Sequence, residues 1–163
     1  MNHPLGVAIV IIAVIFLLWL FIAPVSVSQT QSQHSQLNSQ IRNYLESKDS
    51  PLVSDTEFLL NLEHWKLLIA ISAIESQFCT QQRGYNCWGV GGDKDYRSYS
   101  SFRAAAQDAN DLIEYWQSKG KWLTVESMNC HYIVPCNQNW VSVVNKQLFQ
   151  LNVAITATTS ETP

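Results

Sequence analysis

The run SDTEFLLNLEHWKLLIAISAIES, from Ser54 to Ser76, decides the fold class. Ser54 and Glu57 stand in capping-box spacing ahead of an apolar stretch, which predicts a helix start there. From Phe58 to Ile74 the chain is apolar nearly all round, carrying Leu59, Leu60, Leu62, Trp65, Leu67, Leu68, Ile69 and Ile71. Asn61, Glu63, His64, Lys66 and Ser72 interrupt it, too many polar breaks for a membrane span. A helix of this kind belongs in the core of a globular, mostly α domain.

Glu75 is the residue that does not fit. Three, four and seven positions before it stand Ser72, Ile71 and Leu68, so its side chain leaves the helix beside an apolar face. A carboxylate so placed is partly desolvated, which raises its pKa and suits it to donate a proton near neutrality. The alternative is a helix-end Glu turned to water or paired with Arg83.

Beyond Glu75 the chain turns sharply. Tyr85-Asn86-Cys87-Trp88-Gly89-Val90-Gly91-Gly92 places two aromatics beside glycines that permit tight turns. Tyr85 and Trp88 are candidates for lining a sugar groove, with a half-buried turn anchor as the other reading of Trp88. Ser76 is either a hydroxyl steadying the Glu75 carboxylate or a plain helix-end residue. A helix is expected from Phe102, with Ala105, Ala106, Ala109, Ile113 and Trp116 on one face and Gly120 as its stop. A short helix after Thr124 and a last one from Trp140 to Leu151 follow, separated by the loop Cys130-His131-Tyr132-Ile133-Val134-Pro135-Cys136. Tyr132 there either orients substrate or Glu75, or is simply packed.

Toward the N-terminus the material changes. The first 41 of the 163 residues carry no Asp, Glu, Lys or Arg. Leu5 to Ala23 is a 19-residue uncharged apolar run, long enough for a ~30 Å hydrocarbon core. It exceeds the apolar region of a signal peptide and lacks the preceding positive charge. Ser26-Val27-Ser28 is nevertheless a cleavage-like site, so an anchor is the expectation and a processed leader its alternative. The expected organisation is a short terminus (1–4), a membrane anchor (5–23), a Ser/Gln-rich coil linker (24–36), a helical domain (37–151) and a frayed tail (152–163).

Net charge is -3, with 10 basic and 13 acidic residues and no basic cluster, which argues against nucleic-acid binding. Cys79, Cys87, Cys130 and Cys136 form an even set whose spacing does not match structural zinc sites. Three pairings are open, and the local one, Cys79 with Cys87 and Cys130 with Cys136, is expected. Behind an anchor, oxidised cysteines place the domain outside the cytoplasm. His34 falls in the linker, His64 on the expected helix surface and His131 between cysteines, and no pair has metal-ligand spacing. Neither a metal nor a cofactor is expected.

Four blocks in order carry a resemblance: Ala73-Ile74-Glu75-Ser76, Asn86-Cys87-Trp88-Gly89-Val90, Tyr99-x-x-Phe102-x-x-Ala105, and Tyr132 through Trp140-Val141. Over roughly Lys66 to Gln150 the chain resembles the lysozyme-like superfamily. Its nearest branches are the endo-β-N-acetylglucosaminidases of flagellar muramidase type and the soluble lytic transglycosylases. The resemblance implies a helical fold that cleaves β-1,4 glycosidic bonds of peptidoglycan strands, with Glu75 as the acid. It also implies substrate contacts around Ser76, Asn86, Gly89 and Tyr132. Only Gly91 to Ser101 stands where the glucosaminidases have a lobe with a second carboxylate, which leaves Asp93 and Asp95 as candidates. A lytic transglycosylase needs one carboxylate and a hydrolase ordinarily two. The rival from another class is a non-catalytic lysozyme-like module that binds glycan or an envelope partner.

Overall fold

The computed structural model describes residues 25–91 and 95–156, with side chains from residue 31 onward. The expected anchor, 5–23, therefore lies outside the described residues, as do Asp93 and the end of the tail. Among the described residues no helix is long and apolar enough to cross a membrane. Their regular elements are all helices, joined by turns and loops, with an isolated antiparallel bridge between Arg83 and Asn86. The chain divides after Leu37 into two compact units.

The first helix, α1, covers Val25–Glu46, where a coil linker is expected up to residue 36. The reason is local. No Gly or Pro interrupts the chain between Val25 and Ser50, so helix can propagate through Gln and Ser once it is nucleated. Within the second unit, Ile41 and Leu45 are fully buried and Tyr44 nearly so. The Tyr44 hydroxyl donates to Gln147 Oε1 at 2.8 Å, and burial pushes its pKa up to about 12.

The run from Ser54 folds differently from its periodicity. Ser54 sits inside a 3-10 turn, Pro51–Asp55, and makes no cap. The cap of that turn is Ser50, whose hydroxyl accepts from Leu52 N and donates to Phe78 O. A short helix α2, Thr56–Leu60, ends at Asn61, whose side-chain amide donates to Glu57 O and competes with continued helix. Asn110 Oδ1 then accepts from His64 N, and α3 starts afresh as Trp65–Ser76. The expected single core helix is thus two helices and a turn. The longest buried stretch, Leu68 to Ser72, is on α3, while Thr56 and Leu59 are buried on α2.

Helix α4, Phe102–Ser118, starts at Ser101, whose hydroxyl accepts from Ala104 N, and buries Ala105, Ala106, Ala109 and Ile113 as the sequence predicts. Gly120, at φ 69°, follows its end. The short α5, Val125–Met128, opens on a capping box between Thr124 and Ser127. Helix α6 runs Gln138–Thr156, longer than expected at both ends. It packs along α3, burying Trp140, Val141, Val144 and Leu151, while Val143 and Leu148 are only half-buried. Its last turn is not frayed, because Gln40 Nε2 donates to Ile155 O at 2.8 Å.

Candidate active site

Glu75 occupies the last turn of α3, and the chain then reverses within three residues. Gln77, Phe78 and Cys79 all take left-handed conformations, at φ 48°, 57° and 68°. Each costs a non-glycine residue roughly 1–2 kcal/mol, so the turn must be held from outside. Three contacts hold it. The Cys79–Cys87 disulfide crosses it, Ser50 Oγ donates to Phe78 O at 2.7 Å, and Ser76 ties its two sides. The Ser76 hydroxyl donates to Cys87 O at 2.9 Å and accepts from Cys79 N at 3.1 Å. These partners are all backbone groups, and the hydroxyl makes no hydrogen bond to Glu75.

The following loop is organised by one amide. Buried Asn86 donates from Nδ2 to Val90 O (2.8 Å) and Arg97 O (3.0 Å), while its Oδ1 accepts from Val90 N. The Arg97 guanidinium lies against the Asp108 carboxylate, and the Tyr99 hydroxyl donates to the same group at 2.5 Å. This loop therefore hangs on α4. Trp88 is fully buried, with its indole N–H donating to Leu68 O at 2.8 Å, so it is a turn anchor and not a sugar platform. Tyr85 is exposed and packs edge-on to Phe102 at 5.0 Å.

An open groove of about 1200 Å³ runs past Glu75. Its walls include Asn86, Gly89, Val90, Tyr96, Trp116, Trp122, His131 and Tyr132. Of the residues singled out in the sequence, Glu75, Asn86, Gly89 and Tyr132 meet here, whereas Ser76, Tyr85, Trp88 and Asp95 do not line it. Asp95 is exposed. Among the described residues, Glu75 is the one carboxylate in the lining. Arg83 does line the groove, but no ion pair joins it to Glu75 among the described residues.

The two oxygens of Glu75 are not equivalent. Oε1 accepts from the indole N–H of Trp140 at 2.7 Å. Oε2 faces Gly89, where a built Cβ would stand 3.1 Å away. Gly89 has φ 64°, so glycine is required there for conformation and for the approach of the carboxylate. Burial raises the Glu75 pKa above its ordinary 4.5, and the Trp140 hydrogen bond partly offsets that rise.

Behind the acid stands a ladder of aromatic rings. Trp116, Trp122, Tyr132 and Trp140 follow one another at centroid distances of 5.6, 5.5 and 5.4 Å. Tyr132 donates its hydroxyl to Trp88 O. Burial, then the Glu75 charge, push its pKa well above 10, so it remains a neutral donor. Trp140 and Trp122 are not recognisable as site residues from sequence. Their apolar spacing signals packing, and nothing local records that an indole N–H meets a carboxylate 65 positions away. The Cys130–Cys136 disulfide closes the loop that carries His131 and Tyr132 to the groove.

Comparison with protein-family models, curated proteins and solved structures finds no match for this chain.

Proposed function

We propose that this protein is a membrane-anchored enzyme that cleaves β-1,4 glycosidic bonds of peptidoglycan, with Glu75 as its general acid and base. The observation that carries the reading is the state of Glu75. It is a carboxyl with a raised pKa, fixed by an indole N–H on one oxygen, on the wall of an open groove. A raised pKa holds the proton to higher pH than an exposed carboxyl does, the direction that general acid catalysis of glycoside cleavage requires.

The short interval from Gly91 to Ser101, where the glucosaminidases have a lobe with a second carboxylate, supports one-carboxylate chemistry over base-assisted hydrolysis. Protonated Glu75 gives its proton to the glycosidic oxygen as the bond from the anomeric carbon to that oxygen breaks. The C6 hydroxyl oxygen of the same sugar then bonds to the anomeric carbon, and the Glu75 carboxylate takes the hydroxyl proton. A 1,6-anhydro ring forms, no water is consumed, and the acid is restored. Oε2, on the Gly89 side, is the oxygen left for this traffic because Oε1 is occupied by Trp140. The extracytoplasmic location follows from the anchor reading and from the two disulfides.

The test is digestion of purified peptidoglycan by the full chain in detergent, with products analysed by mass. Anhydro-sugar ends carry the transglycosylase reading and reducing ends the hydrolase. Binding to strands without any cleavage would instead favour the non-catalytic module.

A further inference from the structure

The two disulfides differ in what they hold and in how they meet solvent. Cys79 and Cys87 are 1% and 0% exposed, so that pair is sealed in the turn beneath Glu75. Cys136 is exposed and Cys130 half-buried. Between these two stand His131, Tyr132, Ile133 and Val134, and all four line the groove. The second disulfide therefore closes a strap that is itself a stretch of groove wall.

The strap is fastened unevenly. Its first half is tied to α5, where the backbone amides of His131 and Tyr132 both donate to Met128 O, at 3.1 and 2.8 Å. The Tyr132 hydroxyl adds its bond to Trp88 O. In the second half, among the described residues, the backbone amides of Ile133, Val134 and Cys136 make no hydrogen bond. Val134 is 80% exposed, so packing adds little there. The covalent link at Cys136 is what keeps Ile133 and Val134 against the groove. Beyond it the chain is clamped again. Asn137 N donates to Asn129 Oδ1 at 2.8 Å, and Asn137 Oδ1 accepts from Asn139 N at the start of α6. Opening the disulfide leaves that clamp in place, and with it the Trp140 bond to Glu75.

We infer that the Cys130–Cys136 pair is a redox switch on the groove: oxidised, it holds the Ile133–Val134 wall, and reduced by a dithiol of thioredoxin type it releases that wall. Exposed disulfides are the ones that thiols reach and reduce, whereas sealed ones persist as structure. A thiolate of the reductant attacks Sγ of Cys136, the Cys130–Cys136 bond breaks, and Cys130 leaves as a thiolate that takes up a proton. The second thiol of the reductant then attacks the mixed disulfide. Cys136 is released as a thiol and the reductant ends as its own disulfide. Two electrons pass to the protein and none to the substrate. The acid is untouched, so the switch acts on how the groove holds its ligand.

The test treats the full chain in detergent, carrying Glu75→Gln so that glycan binds without turnover, with reduced thioredoxin or graded dithiothreitol. Alkylation and peptide mapping should find Cys130 and Cys136 labelled together, with Cys79 and Cys87 protected until the chain is denatured. Chymotryptic cleavage after Tyr132 should then rise at least about tenfold. Affinity for solubilised peptidoglycan strands should fall about tenfold, the scale of one apolar side chain withdrawn from contact. Reoxidation should restore both. Cys130→Ser with Cys136→Ser should show the reduced behaviour from the outset and ignore the reductant. In the active wild type, reduction should raise KM and leave the pH–rate profile in place, whereas a general loosening of the fold would move both. Equal labelling of the two pairs overturns the inference, as does selective labelling with unchanged cleavage after Tyr132 or unchanged affinity for strands that bind. The affinity arm rests on the peptidoglycan reading. Strands bound in neither state would count against that reading alone, and labelling with cleavage would still decide the switch.

Discussion

Trp140 donates its indole N–H to Oε1 of Glu75 at 2.7 Å, joining the α3–α6 interface to the groove. The bond stabilises the carboxylate form, and burial opposes it. It also fixes which oxygen is free, because an oxygen already accepting an N–H is the poorer place for a proton. The acid is therefore oriented by a residue that is not itself part of the groove lining.

Replacing Glu75 by Gln keeps the shape and the Trp140 partner but removes the proton. Cleavage should fall at least about 100-fold, the lower range for general acid–base help, while the melting temperature near neutral pH holds or rises. The same variant reports on the pH dependence of stability. The folded-state pKa of Glu75 is raised, so the folded form holds its proton over a range where the unfolded chain has lost it. The wild type therefore loses stability relative to Gln as pH rises from about 4.5 through the raised value, and matches it below. Denaturant melts of both proteins across that range measure the difference. A gap that widens toward acid would mean that folding lowers the Glu75 pKa instead of raising it.

Trp140→Phe removes the donor and preserves most of the packing. Without the N–H the carboxylate form is less stable, so the Glu75 pKa rises further. In a pH–rate profile, the limb on which activity is lost with rising pH should move upward. Trp140 is fully buried, so a stability loss of about 1–3 kcal/mol is also expected. An unmoved profile in a folded variant would mean the bond does not act on the acid.

Gly89→Ala puts a methyl group 3.1 Å from Oε2 at a φ of 64°. Backbone strain should cost about 1–2 kcal/mol. Activity should suffer more than stability, because the methyl crowds the oxygen that exchanges the proton. Steady-state kinetics beside a denaturant melt separates the two effects.

Ser76→Ala should behave in the opposite way. It leaves Cys87 O and Cys79 N without their hydroxyl partner in a buried turn, at about 1–3 kcal/mol. Its pH profile should match the wild type, since the hydroxyl makes no bond to Glu75. A shifted profile would restore Ser76 to a direct role at the acid.

Cys79→Ala with Cys87→Ala removes a crosslink between residues 8 apart. Chain entropy alone predicts a loss of about 2.5 kcal/mol. The three left-handed residues at 77–79 lose one of their restraints at the same time. A drop in melting temperature accompanied by a larger drop in activity is expected. Unchanged melting would mean that the other contacts suffice to hold the turn.

The helical class and the position of Glu75 are legible because both are written in short-range pattern. The apolar run ends where the carboxylate begins, and Ser101, Thr124 and Gly120 punctuate the helices at the expected places. Where the sequence misleads, a tertiary partner decides the outcome. Asn110 restarts α3 at His64 and splits a run that reads as continuous. Trp88 carries two readings in the sequence, a turn anchor or a sugar platform, and its bond to the distant Leu68 carbonyl decides for the anchor. The spacing of the cysteines favours the local pairing, which is the one present. Trp140 carries no local mark of its polar role, because an indole in a helical stripe looks the same whether its N–H faces backbone or a carboxylate.

The four neighbouring, mutually tilted rings from Trp116 to Trp140 have an optical consequence. Chromophores held 5.4–5.6 Å apart at fixed tilts couple their transitions, and the last of them is hydrogen-bonded to the acid. Near-ultraviolet circular dichroism senses such fixed aromatic packing. The ionisation of one carboxyl is thereby linked to the absorption of the whole ladder, and the protein carries its own spectroscopic indicator of the state of its acid, with no substrate or added dye.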